Sequence, residues 1–487
     1  MPEATAGCPR CERLVAECEE LERRIDRLAA QVERQGAIVQ EVGILRAENR
    51  DLRARLNVNS QNSSKPPSSD SPSAPPRPQS PPTGRKQGGQ PGHEGTTRRT
   101  FSAEEVDRRV PVRPWRCGGC RRALPQSGPV CGEPRLLQVV EIPETAATVT
   151  EYVLEGVCCP GCGSVTHAEA PAEVAGCVGP RLQATLAVLA GRYRGSRREV
   201  AELVEELYGE KAAISVGWLS ELEARTAAAL GSAYEEARRA VQGASIVHAD
   251  ETSFPEKFEK GWLWTASTQK AVFFLHDRER SARAARRLLG AFRGVLVTDR
   301  WKSYRHSKRR RQICLAHLKR NWQGLVDRGG AAARIGRPAL RILAKVFDLS
   351  AACEEGQISF KSLRRRVTKL RLRLFDLLCK GERCQDQKAA GMSRDLLNLF
   401  PCIWTFTRHE GVPLTNNLAE RRLRPAVLWR KGSFGTQSDR GSRFLERILT
   451  VAQSLRIQGR SLIGFITQTL RNARAGRPAP RLLPDTG

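Results

Sequence analysis

Ala244-Ser-Ile-Val-His-Ala-Asp250 and Gly294-Val-Leu-Val-Thr-Asp299 decide how this chain is read, because each is a short β-favouring apolar run that ends on a carboxylate. Between them, residues 262–267 and 272–275 read as two further strands joined by 268–271. Residues 281–289 read as a helix stopped by Gly290. Three strands, a helix and a fourth strand make an α/β core with acids at strand ends. Carboxylates on neighbouring strands of one sheet can share divalent cations, and two such ions about 3.5–4 Å apart clamp the attacking and leaving oxygens of a phosphodiester. Strand-end Asp is a weak signal alone, since Asp favours loops and caps. A third acid strengthens it: Glu420 lies on a helix otherwise crowded with Arg421, Arg422 and Arg424. Its competing role is an exposed i,i+4 pair with Arg424, worth only roughly 0.2–0.5 kcal/mol.

Outward from this core the chain changes character several times. Residues 330–410 are helical and basic, with seven cations in 361–374. Upstream, helices are expected at 182–192, 197–207 and 215–230. Their spacing fits a helix-turn-helix and equally any three-helix unit. Two Cys-x-x-Cys knuckles, Cys117/Cys120 and Cys159/Cys162, have the pairing of a tetrahedral zinc site, and alternation over 136–157 suggests a hairpin that brings them together. Cys131, Cys158 and His167 are rival ligands, and Cys8-Pro-Arg-Cys11 lacks a second knuckle. Residues 57–100 are rich in Pro, Ser and Gly, have little to bury, and read as a linker. Residues 14–56 carry a heptad seam of Leu14, Leu21, Leu28, Val42 and Leu56, with polar Asn49 on it and a phase shift near 36–43, which reads as a self-associating coiled coil.

Composition bounds the partners. The 487 residues carry 81 Lys and Arg against 52 Asp and Glu, a net charge of +29, which calls for a polyanion. Mean hydropathy is −0.44. No run of about 18 apolar residues appears, so no membrane span is expected. The first 20 residues have no apolar stretch of the secretory kind. A cytoplasmic chain follows, in which the closely paired members of its 15 Cys serve as metal ligands rather than disulfides.

Six words of the sequence resemble the transposases of the insertion sequence 66 family. They are Asn62-Ser-Ser-Lys-Pro-Pro-Ser-Ser-Asp70, Gly88-Gly-Gln-Pro-Gly-His93, His248-Ala-Asp-Glu-Thr252, Thr298-Asp-Arg300, Cys314-Leu-Ala-His-Leu-Lys319 and Asn416-Asn-Leu-Ala-Glu-Arg-Arg-Leu-Arg-Pro425. The resemblance implies a multidomain α/β protein: a ribonuclease H-like catalytic core with an all-helical insertion, preceded by a coiled coil, a zinc-binding segment and a helix-turn-helix-like helical segment. The expected divisions are a coiled coil at 1–57, a linker at 58–100, a zinc-binding domain at 101–178 and a helical unit at 179–243. The core would follow at 244–329, the insertion at 330–411, the last core helix at 412–432 and a basic region at 433–487.

By the same resemblance Asp250, Asp299 and Glu420 form the catalytic triad and hold Mg²⁺ or Mn²⁺, and Cys117, Cys120, Cys159 and Cys162 hold structural Zn²⁺. Strand alternation sends the rival acid Glu251 to the opposite face. Arg300, Lys302, Lys319, Arg320, Arg421, Arg424, Arg430 and Lys431 are expected on phosphates of the transposon ends and target DNA. Ser253-Phe254-Pro255 departs from the family's Trp-containing segment without touching an expected ligand. The implied protein is a nucleoid-associated bacterial homo-oligomer, working with small accessory proteins of the same element. Two other classes compete: a non-catalytic zinc and helix-turn-helix DNA-binding protein, which leaves the strand-end acids without a role, and a nuclease without strand transfer, which uses the same triad.

Overall fold

A computed structural model describes residues 9–56, 58–63, 99–171, 174, 176–304 and 310–484. The linker expected at 58–100, Cys8, and the first two of the six words fall largely outside them. The chain opens on one continuous helix, α1 (Pro9–Leu56), which the phase shift at 36–43 does not interrupt. The seam residues all face solvent, from 38 % exposure at Val42 to 86 % at Leu56. The C-terminal end of α1 docks on the rest of the chain through Asp51, which pairs with Arg328.

Residues 136–155 form no strand, contrary to the alternation read from the sequence. Leu137 is 90 % exposed and Val139 80 %. Alternation makes a strand only where one face has a surface to cover. The hairpin lies later and is short, with β1 (Gly156–Cys158) antiparallel to β2 (Val165–His167) around the second knuckle.

From residue 176 onward the chain is densely packed. Helices α2 (Pro180–Gly191), α3 (Arg197–Tyr208) and α4 (Val216–Ala229) form where the pattern places them, and a fourth, α5 (Gly231–Gln242), follows that the pattern did not separate. Ser196 and Ser215 accept the N–H groups of Glu199 and Trp218 as N-caps. The link between α3 and α4 is a seven-residue stretch containing a short 3₁₀ turn at Glu210–Ala212, longer than a tight helix-turn-helix connection. The one cation of α4, Arg225, is held by Glu221 at 3.1 Å and lies over Trp218.

The sheet that follows contains β3 (Ile246–Ser253), β4 (Trp262–Ser267), β5 (Val272–Asp277), β6 (Val295–Thr298) and β7 (Arg311–Ile313), with α6 (Ala282–Leu289) between β5 and β6. Its order is β5-β4-β3-β6-β7; β3 runs antiparallel to β4 and parallel to β6, and β7 is parallel to β6. Val247, Ala249, Trp264, Phe273 and Leu296 face α5 and α6. The opposite face, including Leu263, Phe274, Val295 and Val297, is covered by later helices.

These are α7 (Leu315–Arg328), α8 (Gly330–Glu354), α9 (Phe360–Glu382), α10 (Gln387–Asn398), α11 (Phe400–Ile403), α12 (Asn417–Ser433), α13 (Asp439–Ile457) and α14 (Leu462–Arg474). The helical stretch expected at 330–411 shares one apolar core with β6, β7 and α7 through Val297, Ile313, Leu318, Leu343 and Leu370. Much of the expected basic region at 433–487 is core as well: Phe444, Leu445, Ile448, Val451 and Leu455 of α13 are buried against Phe274 and α2.

Edge strand β5 presents N–H groups with no neighbouring strand. Val272 donates to Ser454 Oγ at 3.0 Å, Phe274 to Thr450 Oγ1 at 3.0 Å and His276 to Glu446 Oε1 at 2.5 Å. The match is geometric: four residues of helix advance about 6 Å, close to the roughly 6.7 Å of two strand residues. Burial of Glu446 raises its pKa to about 7. No helix among the described residues is long and apolar enough to cross a membrane.

Candidate active site

Asp299 follows the last residue of β6, as the sequence suggests. Asp250 does not end a strand; it lies inside β3, which the antiparallel pairing with β4 extends to Ser253. The parallel ladder pairs His248 with Val297, so continuing its register by two residues sets Asp250 beside Asp299 on neighbouring strands. Alternation puts both on the sheet face covered by α7 and α12. Glu251 points the other way: Tyr304 Oη donates to it at 2.7 Å and Arg280 Nη2 at 2.9 Å, while Arg280 lies over the rings of Trp262 and Trp301.

Glu420 reaches the same region from the first turn of α12, across a latch built on Asn416. Asn416 is fully buried. It does not cap its own helix with its side chain. Its Nδ2 donates to Ala249 O at 2.8 Å, its Oδ1 lies 3.2 Å from His248 Nδ1, and its backbone N–H donates to Cys314 Sγ at 3.2 Å. One residue thus fixes the start of α12 against β3, next to Asp250, and against Cys314, the N-cap of α7. The N-termini of both helices converge there, where their dipoles favour negative charge.

The electrostatics record this convergence. Burial raises the pKa of Asp250 well above its ordinary value, and the charges of Glu251, Asp299 and Glu420 push it further. Burial, helped by Asp299, raises Glu251 to about 7. Burial lowers His248 to about 4 and also depresses His317, with Arg320 adding to the effect. The Glu420–Arg424 pair does not form. Glu420 Oε1 instead lies 3.7 Å from His317 Nδ1.

The basic residues divide into two sets. Lys302, Lys319, Arg421, Arg424 and Lys431 are exposed and available to a ligand. Arg300 is tied to Asp395 at 3.0 Å, and Arg430 to Thr252 Oγ1 at 2.9 Å and Ser253 O at 2.7 Å. Arg320 is half-buried. The sequence marks Asn416 only as the start of a helix and gives His248, Cys314 and His317 no role, although all stand in the quoted words; their signal is position beside the acids rather than residue type.

The two knuckles share one backbone pattern. Cys117 N–H donates to Arg122 O and Arg121 N–H to Cys117 O; Cys159 N–H donates to Ser164 O and Gly163 N–H to Cys159 O. Arg121 and Gly163 both take the left-handed conformation this turn requires. Hydrogen bonds from the backbone of Cys120 and Gly119 lower the Cys117 thiol pKa, and Ser164 lowers that of Cys162. Among the described residues neither the four sulfurs nor the oxygens of Asp250, Asp299 and Glu420 form a cluster with all ligand atoms within 4.8 Å of one another. The trio of metal-capable side chains that comes together is Cys314, His317 and Glu420.

Two family descriptions match the chain: "Transposase IS66 family" over residues 176–443, and a family of unknown function (DUF6444) over residues 8–99. Among curated relatives from Sinorhizobium fredii (strain NBRC 101917 / NGR234), uncharacterized protein y4hP is 24% identical over 443 residues, 80% of this chain and 79% of that protein. Uncharacterized protein y4qI is 24% identical over 265 residues, 48% of this chain and 49% of that protein. Uncharacterized protein y4jD is 23% identical over 229 residues, 44% of each. The chain thus spans about half the length of two of these relatives. The acids on the sheet, the latch and α12 all fall within the first family match, which covers more than half of the sequence: the chain belongs to the Transposase IS66 family.

Proposed function

We propose that this protein is a DNA transposase that binds the ends of its element, cuts them, and joins the freed 3′-hydroxyl to target DNA by phosphoryl transfer. The observation that carries the reading is the register that sets Asp250 beside Asp299 while Glu420 adds its charge to the same site. The strand order β5-β4-β3-β6-β7, three antiparallel and then two parallel, supports a ribonuclease H-like core. A site in which Glu251, Asp299 and Glu420 all push against an already buried Asp250 carboxyl is short of positive charge, so the oxygen donors of Asp250, Asp299 and Glu420 suit Mg²⁺ or Mn²⁺. Bound there, such cations would supply charge stabilisation to the phosphate oxygens.

The chain's own residues do the positioning. Asn416 and His248 hold α12 against β3, and Glu251 with Arg280 and Tyr304 anchors the strand from behind. Lys302, Lys319, Arg320, Arg421, Arg424 and Lys431 would take DNA phosphates, whereas Arg300 and Arg430, being internally paired, would shape the site. The matched backbone of the knuckles supports Zn²⁺ on Cys117, Cys120, Cys159 and Cys162, and the solvent-facing seam of α1 supports self-association. Action on DNA in the bacterial nucleoid, with accessory proteins of the same element, completes the proposal.

Purified full chain, labelled element-end DNA, target plasmid and Mg²⁺ provide the test. Wild type yields joined product. Glu420→Gln loses cleavage and joining while DNA binding and melting temperature hold, and Glu410→Gln behaves as wild type. Joining within a few fold of wild type in Glu420→Gln overturns the triad; cleavage without joining in the wild type leaves a nuclease, and binding alone leaves a regulator.

A further inference from the structure

Cys314, His317 and Glu420 bring a sulfur, an imidazole nitrogen and a carboxylate oxygen to within 4.8 Å of one another. The arrangement follows from two helix starts. Cys314 caps α7 and His317 lies three residues on, so both project from one side of the first turn. Glu420 comes from the first turn of α12, fixed through Asn416, whose N–H points at Cys314 Sγ. Cys314 is buried, and His317 Nδ1 and Glu420 Oε1 are buried atoms with no hydrogen-bond partner. Two unsatisfied polar atoms facing each other at 3.7 Å beside a thiol are costly unless something lies between them.

We propose that Cys314, His317 and Glu420 form a binding site for one thiophilic divalent transition cation, of the class to which Zn²⁺ and Co²⁺ belong. The donor set decides the class. Sulfur and imidazole suit these ions, whereas Mg²⁺ prefers oxygen donors and keeps its waters. Three protein donors leave the fourth tetrahedral position open, the pattern of reactive rather than purely structural sites. Burial pushes the Cys314 thiol up, and the backbone N–H groups of Asn416 and His317 at the two helix N-termini act against that rise. Glu420 also adds its charge at Asp250, so a cation here would adjoin the acid cluster. The proposal stands without the transposase reading, since metal binding needs no DNA.

The test is Co²⁺ titration of the full chain with Cys117, Cys120, Cys159 and Cys162 each replaced by Ser, so that the knuckles add no sulfur ligands. One Co²⁺ per chain is expected, with a thiolate-to-cobalt band in the near ultraviolet and the visible bands of tetrahedral cobalt. In that background Cys314→Ser loses the near-ultraviolet band, and His317→Gln weakens binding by at least about 100-fold, both with circular dichroism unchanged. Absence of the band, or an equal band in Cys314→Ser, overturns the site and leaves an ordered water between His317 and Glu420 as the occupant. Should Cys314→Ser not fold, unchanged cobalt affinity in His317→Gln overturns it equally. Joining by the wild type without a cobalt band defeats this inference alone; a cobalt band without joining defeats only the transposase reading.

Discussion

In residues 99–171 the thiols of Cys120, Cys159 and Cys162 stand exposed, Trp115 is 77 % exposed, and local turns carry most of the order. In residues 176–484 the acids rest on a sheet buried on both faces, and Asn416, wholly enclosed, ties two helices to a strand 167 residues away in sequence. Both regions hold groups suited to cations, but only the second positions them with its own core. In the first, each knuckle closes its own turn without a shared core, whereas the second is preorganised and tolerates crowded charge because packing over-determines it.

The sharpest way to break this contrast is to loosen the preorganised side. Asn416→Ala strips partners from Ala249 O and His248 Nδ1 at a buried position, so a loss of about 2–4 kcal/mol in urea unfolding is expected, together with loss of joining. An unchanged unfolding midpoint would show that the helices find their places without the latch.

A smaller effect should appear at Glu446. Its pKa is raised above the ordinary value of 4.5 to about 7, so the stability carried by its protonated form is complete below pH 4.5 and fades as pH climbs through 7. Glu446→Gln keeps an acceptor for His276 N–H and removes the titration. Relative to wild type, it should gain stability between about pH 5 and about pH 8, by at most about 3 kcal/mol. Parallel pH profiles for the two proteins would refute the assignment.

The smallest expected change tests the other side. Cys117→Ser with Cys159→Ser should remove about one zinc per chain in metal analysis while the main unfolding transition shifts by less than roughly 0.5 kcal/mol. A large shift would mean that the knuckle region is built into the core after all.

Strands β3 to β6 were legible because each is an apolar run with a clear stop, and helix α6 because Ala284, Ala285, Leu288 and Leu289 recur at helical spacing before Gly290. Strand β7 was not: Arg311 and Gln312 are polar yet wholly buried, satisfied by Thr298 Oγ1 at 2.8 Å and by Ile403 O at 3.1 Å, partners a sequence does not display. Asp250 was read as a strand end because Asp usually is one, while pairing with Thr265 of β4 carries the strand past it. Asn416 announced a helix correctly, but its side chain turns away from the cap. The charge of 433–487 hid the apolar stripe of α13, a core helix whose Arg440, Arg443 and Arg456 stay exposed while Arg447 packs over Tyr234. Of the candidate site, Asp250, Asp299 and Glu420 could be proposed from the sequence. Cys314 and His317 could not, because their neighbour Glu420 arrives from more than 100 residues later and only the fold introduces them.

The cover of β5 by α13 has a consequence for synthesis. The hydrogen bonds that close this strand edge span 170 to 182 residues of sequence, so the edge is made long before its cover. At about 5–20 residues per second of translation, β5 leaves the ribosome roughly 10–35 s ahead of the residues of α13 that satisfy it. During that interval the nascent chain offers an open edge to any neighbouring strand, its own copies on the same message included. Chaperone dependence of this protein should therefore be greatest in chains halted before residue 446, and should vanish once Ser454 has emerged.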